Sequence, residues 1–160
     1  MRACLFLFAV VSLQATGSAA ERCPWLNAAT AGGFLGGAVT NFTVNQGKSG
    51  DDATCEFVRH DGSLLMELRI EVETMRSPAD DFASYTSRCR SAAVALKAMG
   101  NQAVSCAAEA GDGRIAGQVV GRVRDRAFVV RVATSDRSAQ PAALREKARK
   151  AAEQVAGNLF

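Results

Sequence analysis

One histidine, one tryptophan, one tyrosine and three prolines are all that this 160-residue chain holds of those residue types. The single imidazole, His60, excludes any site that needs two histidines, such as a His-rich zinc centre. No Gly-x-Ser-x-Gly string stands anywhere, so the nucleophile elbow of the common hydrolases is missing too. The cysteines include no close Cys-x2-Cys pair, which argues against a zinc knuckle; no metal and no cofactor is expected. Charge of one sign is lacking as well, with a formal net charge of only +3. No aromatic stacking set lies near the basic strands, so nucleic acid is not an expected partner. After the N-terminal segment, charges interrupt every apolar run, and no membrane span is expected there.

What is present is an ordinary globular mix, 48% apolar and 22% charged. Met1-Arg2 is followed by the apolar run from Ala3 to Val11, a more polar stretch, and the small residues Ser18-Ala19-Ala20. That three-part layout is the layout of a secretory signal, shorter than the roughly 20 apolar residues a spanning helix needs. The expected organisation is therefore a signal peptide over 1–20 and one domain over 21–160, in a secreted or periplasmic protein. Cys4 leaves with the signal, and Cys23, Cys55, Cys89 and Cys106 remain. An even count in an exported chain reads as two disulfides, with three possible connectivities.

Asn27 suits a helix N-cap and Gly36-Gly37 a helix stop, which predicts a short first helix. Strands follow over 39–44 and 53–59, and Asp61-Gly62 signals a hairpin. From Leu64 to Glu73 the period is two: Leu64, Met66, Leu68, Ile70 and Val72 alternate with a largely charged set holding Glu67, Arg69, Glu71 and Glu73. Ser77-Pro78 opens a second helix, with Asp80 placed for a capping box. Phe82, Tyr85, Cys89 and Leu96 form its buried stripe, and Gly100 ends it. Strands at 103–108, 114–124 and 127–134 and a helix from Pro141 to Gly157 close the chain. The order is α-βββ-α-βββ-α, an α+β fold with helices packed on one face of an antiparallel sheet. Its two βββα halves suggest an internal pseudo-repeat.

Cys23-Pro24-Trp25-Leu26, an Ala-rich helix ending Leu35-Gly36, and Cys55-Glu56-Phe57 form a string with a known likeness. Over residues 23–57 the chain resembles a family of secreted actinobacterial proteins of unknown function, many of them mycobacterial lipoproteins, with a PsbP-like α/β sandwich. It departs from them in having no lipid-attachment cysteine at the expected cleavage site. The resemblance implies the pair Cys23–Cys55 and a binding or sensory module, and carries no catalytic residue across. With Cys89 on the inward stripe of the second helix and Cys106 on the next strand, the second expected bridge is Cys89–Cys106.

His60 sits at a hairpin turn beside Asp61, an ordinary place for a solvated histidine; a hydrolase or transferase with a scattered site around it is the alternative to a binding module. Asp51-Asp52 and Asp80-Asp81 lack the alternating spacing of a calcium loop. Gly32-Gly33-Phe34-Leu35-Gly36-Gly37 lacks the Lys-Ser/Thr of a phosphate loop and ends a helix instead of opening one. The charge layout is the remaining signal. Residues 21–113 carry 8 Lys/Arg against 12 Asp/Glu, and residues 114–160 carry 10 against 4. Arg122, Arg124 and Arg131 on the wet side of the last hairpin form a surface for a small anionic ligand or an acidic partner protein, or else pair with Glu67, Glu71 and Glu73 across the sheet. The sequence thus points to an exported binding or interaction module that is not an enzyme.

Overall fold

A computed structural model describes residues 22–47, 49, 52–89 and 93–160. The expected signal segment 1–20 and residues 90–92 of the expected second helix lie outside the described residues. The elements in chain order are α1 (Ala28–Leu35), β1 (Asn41–Gln46), β2 (Ala53–Asp61), β3 (Leu64–Thr74), α2 (Pro78–Thr86), β4 (Val94–Ala95), β5 (Gln102–Ala110), β6 (Arg114–Val123), β7 (Arg126–Thr134) and α3 (Pro141–Gly157). The strands form one antiparallel sheet in the order β1-β2-β3-β7-β6-β5-β4. The α+β class and the element order are those expected from the sequence, with the two-residue β4 added ahead of the second strand triplet.

Strand alternation divides the sheet into two unlike faces. On the first, Phe57, Leu68, Ile70, Val72, Phe128, Val130 and Val132 are fully buried under α1 and α3. Leu144, Ala148, Ala151 and Val155 supply the stripe of α3, as the helical spacing predicts. Gly117 of β6 explains how closely that helix sits: a Cβ there would collide with the backbone of Leu144 and Arg145. Asn27 caps α1 by accepting from the Thr30 amide at 2.9 Å, and Gly36 closes it in the left-handed region at φ 80°.

The expectation that all helices share one face needs refinement, because α2 lies on the other. Phe82 of α2 packs with Met75, Val120, Ala127 and Val129, the residues that alternate with the first-face core. Topology gives the reason. The chain leaves β3, third in a seven-strand sheet, and must pass β7, β6 and β5 to reach the edge at β4. With α1 and α3 covering the first face, the second is open to that crossing.

The second helix also stops far short of Gly100. Its last turn is rich in residues that compete for backbone carbonyls: Ser84, Thr86 and Ser87 donate their hydroxyls to Asp81, Ala83 and Ser84. Asp81, not Asp80, reaches back to the Ser77 amide at 2.9 Å. Cys89 therefore lies beyond the helix, yet the bridge forms as predicted. Cys23–Cys55 and Cys89–Cys106 have Cα separations of 5.8 and 5.7 Å, within the range disulfides require. Among the described residues no helix is long and apolar enough to cross a membrane.

Candidate binding cleft

The second face of the sheet carries the charged residues that alternate along β3. Register places Glu67 beside Ala133, Arg69 beside Arg131 and Glu71 beside Val129 on β7. It places Gln118 of β6 opposite Arg131 on one side and opposite Cys106 of β5 on the other. Two structures rise over this polar floor. One is the chain segment after α2, fastened by Cys89–Cys106, which brings in Arg88. The other is the β5–β6 turn at Gly111-Asp112-Gly113. Between them lies a cleft of about 720 Å³, with Arg69, Arg88, Arg114 and Arg131 in its lining and Ala108, Ala110, Ile115 and Val129 as its apolar part.

The arginines are held by carboxylates on the same face. Glu67 is 6% exposed, unusual for a residue on a face that the alternation marks as wet. Its burial is matched by Arg114, which donates to it at 2.6 Å, and by Arg131 at 3.9 Å. Glu71 accepts from Arg69 at 2.7 Å and from Arg88 at 3.0 Å. Arg69 also stands 3.7 Å from Glu56. Along the rim Tyr85 donates to Glu73 and lies under the Arg88 guanidinium, 4.9 Å from its ring centre. Burial, and then the hydrogen bond to the Glu73 carboxylate, push the Tyr85 phenol well above its usual range, so it stays a donor at any physiological pH.

Two nitrogens on the floor break the pattern. Gln118 is 5% exposed, and its Nε2 is buried without a hydrogen-bond partner. The same holds for Nε of Arg131, its direct cross-strand neighbour. Buried donors are almost always paired, so two adjacent unpaired ones in the lining of one cleft are a specific feature of this face.

Of the three arginines singled out in the sequence, the structure brings only Arg131 to the cleft. Arg122 donates to Gln102 at 2.8 Å and lies 5.9 Å from the Phe82 ring, against α2. Arg124 occupies the β6–β7 turn with φ 55°, its amide bonded to the Asn101 side chain. The expected pairing with acids of β3 holds for Arg131 and Glu67. Arg69, Arg88, Arg114 and Gln118 were not among the expected site residues. The alternation of β3 places Arg69 on this face, but nothing local in the sequence marks Arg88 or Arg114 as its neighbours, since crossover and register bring them there.

His60 is exposed near the end of β2, outside this cleft, and its amide donates to the Thr40 hydroxyl at 3.2 Å. Neighbouring Asp61 is engaged with Arg59. Asp52 accepts from both the amide and the hydroxyl of Thr74 at 2.8 Å, pinning the β1–β2 connection to the end of β3. Comparison with protein-family models, with curated proteins and with solved structures finds no match.

Proposed function

We propose that this chain is an exported binding module, without catalytic activity, that takes a small anionic ligand in the cleft on the second sheet face. The observation that carries the reading is the pair of unpartnered buried donors, Gln118 Nε2 and Arg131 Nε, in the lining of a cleft that holds four guanidiniums. The cleft volume of about 720 Å³ falls in the range of small-molecule sites, roughly 300–1,000 Å³, and its lining mixes apolar surface with a few fixed polar groups. Two disulfides and the signal-like first twenty residues support a secreted or periplasmic location. The resemblance of residues 23–57 to secreted actinobacterial proteins supports the same placement.

The test is a nitrogen-15 correlation spectrum of the disulfide-bonded protein, titrated with a panel of small organic and inorganic anions. Saturable shifts gathered on cleft residues are expected. If no member of the panel moves any cleft resonance, the binding reading fails.

A further inference from the structure

We infer that the cleft recognises a monocarboxylate, gripped by Gln118 Nε2 and Arg131 Nε together; this rests on the binding reading above and narrows it to one ligand chemistry. The starting point is what the cleft lacks. Glu56, Glu67, Glu71 and Asp112 stand beside the four arginines or in the same lining, so no net positive charge draws a ligand here, and each charge a ligand brings must be offset by directed hydrogen bonds alone. What it offers is unmade hydrogen bonds. The two donors belong to residues directly opposite in the β6–β7 register, on the same face of the sheet. Cross-strand neighbours of this kind have Cβ atoms about 5 Å apart, close enough for two side chains to share one ligand group. A group that satisfies both must present two acceptor lone pairs, and two oxygens set side by side can each take one donor in line. A carboxylate does this, and the charge-assisted bond from a guanidinium N–H is among the stronger hydrogen bonds available.

The rest of the lining fits the remainder of such a molecule. Val129 lies across from Glu71 on the floor, and Ala108 and Ala110 border the same space, giving a small apolar seat for a hydrocarbon or aromatic body. Both nitrogens are covered in this arrangement, so entry requires a side-chain rearrangement. Of the four lining arginines Arg88 is the most exposed, its side chain at 44%, and it is held by Glu71 and by the Tyr85 ring.

The experiment uses benzoate, benzamide and inorganic phosphate as probes on the full disulfide-bonded protein, read through the Gln118 side-chain amide and the Arg131 Nε–H resonances. Benzoate should move both saturably, and benzamide and phosphate should bind at least about tenfold more weakly. Gln118→Leu should weaken benzoate roughly ten- to a hundredfold, the cost of one hydrogen bond to a charged group. The spectrum of that variant reports its fold directly, and Gln118→Glu, which sets a carboxylate where the ligand's would lie, should abolish binding. Equal response to phosphate or benzamide overturns the monocarboxylate assignment while leaving a binding cleft. Unchanged benzoate affinity in Gln118→Leu also overturns it. Failure of every probe, with a broader anion panel still shifting the cleft, overturns the assignment alone; failure of both removes the binding reading as well.

Discussion

Gln118 illustrates how a single residue can be locally unfavourable and still informative. A buried amide nitrogen without a partner costs about 1–3 kcal/mol relative to a satisfied one. Gln118→Leu, which removes the donor and keeps a comparable volume among Val120, Val129 and Ala116, should therefore raise stability by about 1 kcal/mol, measured as a higher midpoint in thermal unfolding. Glu67 is the opposite case. It is buried between Arg114 and Arg131, and Glu67→Ala should lower stability by about 2–3 kcal/mol because it strands two part-buried guanidiniums. The Asp52 latch has a pH signature. Burial pushes its carboxyl up, but hydrogen bonds from Ser49 and Thr74 outweigh that and hold it below the ordinary 3.8. A depressed value in the folded state means that the unfolded chain takes up the proton first. The latch thus contributes in full above about pH 4 and is lost as pH falls through the folded value. The difference in melting temperature between the wild type and Asp52→Asn should be present at neutral pH and shrink in that acid window.

Among the elements, β3 was the most legible in the sequence and also the most instructive in its failure. Its alternation identifies Leu68, Ile70 and Val72 as the inward set, and all three are fully buried. Leu68→Asp should accordingly unfold the domain, at a cost of about 4 kcal/mol or more, since a carboxylate there faces α1 and α3 without a partner. The same alternation marks Glu71 as a solvent residue whose reversal to Lys would be tolerated. The structure shows what stands over it there: Glu71 joins Arg69 to Arg88, and on that ground Glu71→Lys should cost about 1–2 kcal/mol by clustering three cations. Alternation reports which side of a strand a residue is on, and says nothing of what a distant element lays over that side. The same limit explains α2. Its start was legible from Ser77-Pro78, whereas its early end depends on hydroxyl competition for carbonyls and on the disulfide that draws Cys89 down to β5. The role of Gly117 is not legible locally, because a glycine in a strand reads as weakness, although here it is what admits the α3 backbone. Gly117→Ala should cost about 3 kcal/mol through overpacking and should loosen α3, visible as faster amide exchange along Leu144 to Ala151.

For the molecule as a whole, the sheet order β1-β2-β3-β7-β6-β5 places the two strand triplets side by side about the β3–β7 seam. The pseudo-repeat suggested by the sequence is therefore seen in the strands. It fails in the helices: α3 covers the second triplet on the first face, whereas α1, which precedes the first triplet, covers that half, and α2 has crossed to the opposite side. That departure creates the cleft, because a segment lying on the second face turns an open polar surface into a walled one. The two disulfides divide along the same line. Cys23–Cys55 belongs to the main core between α1 and β2, and Cys89–Cys106 ties the segment after α2 to the cleft floor. Their sequence separations of 32 and 17 residues predict similar entropic contributions, roughly 3–4 kcal/mol each. Their removal should nevertheless differ in kind. The double replacement Cys23→Ser with Cys55→Ser should lower the single cooperative unfolding transition, since Cys55 is fully buried against the core shared by both helices of the first face. Cys89→Ser with Cys106→Ser should add a local opening, with amide exchange accelerated over α2 well beyond that in β3 and β7. Arg88 follows Cys89 in that opening, so ligand response at the Gln118 and Arg131 resonances should weaken in the second variant and persist in the first. A uniform loss of protection across the sheet in the second variant would show instead that α2 is part of the cooperative core and not a separable wall of the cleft.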